Sequence, residues 1–197
     1  MSEDPNATDA ASSDNDSAAD AQIIAATKGW LRNVVIGLNL CPFAKQPFAQ
    51  GRVRLCVSHA TDEDALLADL GAELVALQHA DPEVCETTLL IHPGVLDDFF
   101  EYNDFLEVAD ALLHELGLEG ELQVASFHPD YQFADTPAEA AENCTNRSPY
   151  PLLHLLREDS VQRAVESVPD TDEIYRRNIR TLRELGITGW RELMRKP

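Results

Sequence analysis

The chain has 197 residues and carries 15 Lys/Arg against 35 Asp/Glu, a formal net charge of -20 at pH 7. That charge argues against binding DNA or RNA, where the dominant affinity comes from pairing cations with phosphates. The length fits one ordinary domain plus a tail. No apolar run reaches the ~20 residues needed to cross a bilayer, so a cytoplasmic protein with neither membrane nor nucleic-acid partners is expected.

In chain order, the first twenty residues hold Glu3, Asp4, Asp9, Asp14, Asp16 and Asp20 with no basic residue, among mostly Ser, Ala and Asn. Such a composition cannot bury enough apolar surface to offset the entropy of ordering, so residues 1–20 read as a disordered acidic tail ahead of a single α/β domain over 21–197. The tail lacks the basic start and the apolar stretch of a signal peptide. Next, Ile23, Thr27, Trp30, Leu31, Val34, Val35 and Leu38 recur at threes and fours, which predicts an amphipathic helix over 21–39. Gly51 introduces a strand over 52–58, where Val53, Leu55 and Val57 alternate with polar or small residues as at a sheet edge. Thr61 with Asp64 caps a second helix, carried by Leu66, Leu70, Leu74 and Leu77 and stopped before Asp81-Pro82.

A second strand over 87–92 is apolar almost throughout and is therefore read as central. A third helical region covers 95–116, broken near Asn103, with Phe105, Leu106, Ala109, Leu112, Leu113 and Leu116 facing the core and Gly117 as its stop. The third strand follows at 121–128. From 129 to 150 there is no period, while Tyr, Phe, Asn, Arg and Pro accumulate. A long irregular segment leaving the carboxyl end of a strand in a compact domain is more often functional than ornamental. Ser148-Pro149 has the form of an N-cap followed by proline at the first helical position, opening a helix through Leu152, Leu153, Leu155 and Leu156. Helices near 160–168 and 171–185, the second stopped at Gly186, and a short one around Trp190 end the chain. The expected fold is α/β, a small three-stranded parallel sheet with helices on both faces and a C-terminal helical extension.

Each strand ends in an imidazole: His59 after the first, His92-Pro93 after the second, His128-Pro129 after the third. In a parallel sheet all three reach the carboxyl edge, where open α/β folds place their ligands. One chemistry is a metal site, with His92 and His128 from adjacent strands, Asp130 and His59 as nitrogen and oxygen ligands for Zn, Fe or Mn. The alternative for such histidines is structural, a ring N–H capping the turn. A second chemistry is metal-free, with His128 or His92 as proton carrier and Arg147 as a planar fork for a small anion, beside Asn143, Asn146, Ser148, Tyr150 and Tyr131. Arg147 is the only basic residue between Arg54 and Arg157, so a structural pairing with a local carboxylate is the competing reading.

The four cysteines, Cys41, Cys56, Cys85 and Cys144, form no Cys-x-x-Cys pair, which disfavours a zinc knuckle or a disulfide framework. Cys41 precedes Pro42 and is a candidate nucleophile, although a preceding helix C-terminus raises a thiol pKa and favours a packed thiol. His154 reads as a hydrogen-bonded core histidine. A non-catalytic alternative uses Phe127, Tyr131, Phe133 and Tyr150 as a contact surface. The enzyme reading therefore stands as a small-molecule enzyme acting on a small anion, with a ligand-binding or protein-interaction module beside it.

Four runs carry a family resemblance: 30–44 (WLRNVVIGLNLCPFA), 102–106 (YNDFL), 125–133 (ASFHPDYQF) and 145–158 (TNRSPYPLLHLLRE). Through them the chain resembles the bacterial domain of unknown function 1415 family over about residues 21–185. The resemblance implies a cytoplasmic bacterial protein and supplies no reaction.

Overall fold

The computed structural model describes the backbone of residues 7–166 and 171–196 and the side chains of 17–166 and 172–196. The first six residues of the acidic segment and the last two of the helix expected over 160–168 lie outside the described residues. Helix α1 (Ala7–Trp30) begins within the acidic segment and passes into a π-helical turn, Leu31–Ile36. A short α2 (Lys45–Ala49), which no periodicity announces, leads into β1 (Val53–Val57). Then come α3 (Glu63–His79), β2 (Thr87–Ile91), α4 (Phe99–Glu115), β3 (Leu122–Phe127), a 3-10 turn at Ala141–Thr145, β4 (Leu152–Arg157), α5 (Glu158–Glu166) and α6 (Thr171–Met194).

Among the described residues the sheet has four strands in the order β1-β2-β4-β3 and is mixed. β1 and β2 pair in parallel, while β4 is antiparallel to both β2 and β3. The three-stranded parallel sheet expected above is thus corrected. β1, β2 and β3 do run the same way, but β4 is inserted between β2 and β3. The helix expected from Ser148-Pro149 onward is this fourth strand. Its leucines feed both cores, Leu153 and Leu155 on one face and Leu152 on the other. A strand buried on both faces loses the alternation that would identify it, and a short apolar run then reads equally well as helix. The Ser148 hydroxyl donates to the Tyr150 carbonyl at 2.6 Å instead of capping a helix.

Two helical layers cover the sheet. The steps β1 to β2 through α3 and β2 to β3 through α4 advance across the sheet in the same direction, and right-handed crossovers place both helices on one face. There Leu66, Leu70, Leu74 and Leu77 of α3 and Tyr102, Phe105, Ala109 and Leu113 of α4 meet Leu90, Leu153 and Leu155. On the other face Trp30, Leu31, Val34 and Val35 join Leu182 and Trp190 of α6 over Leu89, Ile91 and Leu152.

Helix α3 is capped by Asp62, not Thr61: its carboxylate accepts from the Ala65 N–H at 2.9 Å. Asp98 caps α4 through the Phe100 and Glu101 N–H groups. Each such cap is worth about 1 kcal/mol. Helix α4 starts at Phe99 and runs unbroken past Asn103, so residues 95–98, expected in the helix, belong instead to the turn over 93–98 that follows β2. α6 kinks at Gly186, whose φ of 68° is in the left-handed region, consistent with the two helices expected there. Among the described residues no helix is long and apolar enough to cross a membrane.

Candidate functional site

The carboxyl edge of β2 and β3 holds a closed aromatic wall. His92 and His128 follow strands separated by β4, not adjacent ones, and Tyr102 of α4 fills the interval. Its ring lies nearly parallel to His92, with centroids 5.8 Å apart, and 5.1 Å from His128. The Tyr102 hydroxyl donates to the Leu152 carbonyl at 2.9 Å and accepts from the Phe127 N–H at 3.0 Å. Leu152 and Phe127 are register partners, so the phenol bridges the β3-β4 ladder at its open end. Burial holds this hydroxyl far above the usual tyrosine range, leaving it a fixed donor.

The two imidazoles are neutral and oppositely wired. His128 accepts the Asp130 N–H at Nδ1, 3.0 Å away, which puts its proton on Nε2, facing the Leu96 carbonyl at 3.2 Å. Both ring nitrogens are occupied, and burial lowers its pKa. His92 faces the Val95 carbonyl with Nδ1 at 3.0 Å, which places the proton there. Its Nε2 is therefore a lone pair, buried and without a hydrogen-bond partner among the described residues. Burial, aided by the nearby His128, lowers the His92 pKa to about 4 against the Val95 hydrogen bond.

Both imidazoles grip one turn from behind. That turn includes Leu96, held at a φ of 58°, a left-handed conformation that bulky residues rarely adopt. Its outer side, with Gly94, Val95, Leu96 and Asp97, forms one wall of an open hollow of about 460 Å³. The start of α3 forms the other wall with Thr61, Asp62, Glu63 and Asp64, and Glu101 closes one side. Among the described residues, five carboxylates and no basic residue line it. Acidic residues at two helix N-termini are favoured by the helix dipole, which accounts for part of this composition.

The remaining sequence candidates divide clearly. His59 is held apart, 62% exposed, with Nε2 3.2 Å from the Asp20 carboxylate. It borders a separate hollow of about 420 Å³ with Cys56, Asp69 and Glu73. There Glu73 is engaged by Arg54 at 2.7 and 2.8 Å, and burial pushes the Cys56 thiol up to about 11. Among the described residues no group of three or more His, Cys, Asp or Glu is arranged to hold a metal ion. With both His128 nitrogens occupied and His59 elsewhere, the donor set envisaged for Zn, Fe or Mn is not brought together. Asp130 contributes its backbone N–H to His128, and its own residue is exposed. Cys41 lies in the core layer on the opposite side of the sheet, beside Leu40 and Asn39, whose carbonyls accept from Asn178 and Arg177.

Residues 129–151 are tied down by their own polar side chains. Fully buried Asn143 accepts from the Phe133 N–H and the Thr136 hydroxyl and donates to the Pro137 and Ala138 carbonyls. Arg147 donates to the Tyr131 carbonyl at 3.1 Å and the Ala138 carbonyl at 2.7 Å. Asn146 donates to Ser126 and offers its carbonyl to the His128 N–H, and the Ser148 N–H reaches the His128 carbonyl. Tyr150 packs into the second core. Tyr131 stands edge-on to Phe99 at 5.3 Å and to Phe133 at 5.0 Å.

His154, half-buried on β4, bonds the Thr87 oxygen at 2.8 Å while the Thr87 hydroxyl donates to Leu155, a structural arrangement as expected. The residues that sequence reasoning missed are Tyr102, Leu96, Phe99 and the carboxylates of the hollow. A tyrosine on the inward face of an apolar helix needs a hydrogen-bond partner, and that signal could have singled out Tyr102.

Residues 22–192 match the family model described as Protein of unknown function (DUF1415), which spans most of the chain, and the chain belongs to that family. No curated protein and no solved structure matches it.

Proposed function

From membership in a family whose description names no activity, we propose that this protein binds a small molecule at the carboxyl edge of its sheet and that His92 is the group that recognises it. The observation carrying this reading is the His92 Nε2 lone pair, buried and unpartnered among the described residues, on a ring whose Nδ1 holds the Val95 carbonyl of the turn that walls the open hollow. Leaving a buried acceptor unsatisfied costs about 1–3 kcal/mol, so a ligand N–H or O–H that reaches it recovers that free energy. Access runs through the strained turn at residues 93–98.

Binding is favoured over acid-base catalysis, because a conjugate acid near 4 is poorly matched to proton abstraction at neutral pH. A donor-rich neutral or cationic ligand is favoured over a small anion. The Arg147 guanidinium is engaged with two backbone carbonyls, and the carboxylates around the opening repel negative charge.

The test is nitrogen NMR of the labelled imidazoles at pH 7 with methylguanidine and methylamine as donor probes and acetone as an acceptor-only control. The donors should move the His92 Nε2 resonance, acetone should not, and the response should vanish in His92→Phe. A His92 resonance equally indifferent to all three probes would remove the reading.

A further inference from the structure

We propose that the same end of the molecule carries a docking strip for a basic, extended segment of a partner protein. The strip is aromatic. Phe133, Tyr131, Phe99 and Phe100 follow one another with ring centroids 5.0, 5.3 and 6.0 Å apart. Tyr131, Phe133 and Phe99 are half-buried, whereas Phe100 is 72% exposed in the first turn of α4. Three half-buried rings leading to an exposed one form a continuous apolar row, a surface that something covers, unlike the scattered apolar side chains any protein displays.

Charge selects the occupant. The carboxylates of Asp97, Glu101 and Asp130 border the row and make no ion pair among the described residues. The stretch 21–156 holds six Lys/Arg against 21 Asp/Glu. Of those six, Arg52 and Arg54 are paired with Glu86 and Glu73, and Arg147 is bound to backbone carbonyls. Arginine and lysine satisfy both features at once. Their aliphatic stems cover aromatic rings, their charged heads sit over ring faces, and carboxylates receive the heads at the rim.

Four rings in series outrun a single small cation, while an extended peptide advancing roughly 3.3 Å per residue follows the row with alternate side chains. Phe99 is shared with the wall, its ring centroid 5.5 Å from that of His128 and 6.5 Å from that of Tyr102, but docking on the row needs neither the His92 Nε2 nor a movement of the 93–98 turn, so the two readings fail separately.

The experiment titrates the labelled full-length protein with a nine-residue peptide alternating Arg and Ala, its Glu-for-Arg counterpart, and spermidine. The Arg peptide should bind with amide shifts confined to residues 97–101 and 130–135, and the Glu peptide should not bind. Phe100→Ser should weaken the Arg peptide at least tenfold. Val84→Ser, at an equally exposed apolar residue near the opposite sheet edge, should change it less than twofold. Absence of binding, shifts spread over the acidic surface, an unaffected Phe100→Ser variant, or spermidine binding as tightly as the Arg peptide would each overturn the proposal.

Discussion

The His92-Tyr102-His128 wall and residues 129–151 are equally rich in side chains capable of chemistry, and they differ in what those side chains have left to offer. In the irregular segment both ends of the Asn143 amide are engaged, and Arg147 is bound to two carbonyls. The polar atoms there replace the regular hydrogen bonds that a stretch without helix or strand must otherwise find. In the wall, Tyr102 and His128 are likewise engaged, while His92 keeps one ring nitrogen unused. Residue type alone therefore says little about function. An unengaged polar atom in a place where engagement is the rule says more.

The contrast breaks first at Asn143. Asn143→Leu keeps the branched shape, removes four hydrogen bonds and leaves the Phe133 N–H without a partner, so the protein should lose about 4 kcal/mol and roughly 10 °C in melting temperature. Urea unfolding measures this, and a loss below about 1 kcal/mol would mean that the segment holds itself without that side chain.

Acid tests the wall. His92 has a folded pKa of about 4 against an ordinary 6.5, so between those values the unfolded chain binds a proton that the folded one refuses. Stability should therefore be complete above pH 6.5 and fall as pH drops toward 4, by about 3 kcal/mol from this residue. His154, also lowered to about 4 by burial, acts in the same sense. Comparing urea midpoints at pH 7 and 4.5, His92→Phe should show a shallower decline than the natural chain. An identical decline would mean that His92 is not the buried neutral group described.

The smallest effect belongs to the hydroxyl between the strands. Tyr102→Phe should cost about 2 kcal/mol and speed hydrogen exchange at the Phe127 amide, because the Leu152 carbonyl loses its donor in the same step. Unchanged protection at Phe127 would indicate that β3 and β4 close directly without the phenol.

Much of this was legible in the residues, for identifiable reasons. The leucines at 66, 70, 74 and 77 and the apolar run at 87–91 have one reading each, and the structure follows them. Three strands ending in histidines at one edge were also legible, because strand direction follows from alternation with helices. β4 was not, since Leu152, Leu153, Leu155 and Leu156 fit a helical stripe as well as a strand covered on both sides. At the site, sequence could name His92 and His128 but not the state of their ring nitrogens. That state is set by the Val95 and Leu96 carbonyls and the Asp130 N–H, backbone groups that nearly every residue carries. Arg147 was conspicuous for its isolation in an acidic stretch, yet its partners are backbone atoms that composition does not display.

The insertion of β4 also orders events during synthesis. β3 leaves the ribosome complete at Phe127, but its neighbour in the sheet among the described residues begins at Leu152. At translation rates of about 5–20 residues per second, the finished strand waits on the order of seconds for its partner. Throughout that wait β1, α3 and β2 can assemble as a local unit, leaving the β2 edge and the whole of β3 unpaired. A nascent chain halted before residue 152 exposes two strand edges of matching register preference, the condition under which one polypeptide joins another. The vulnerable moment in this protein's life thus precedes its release, and it ends with the arrival of six residues.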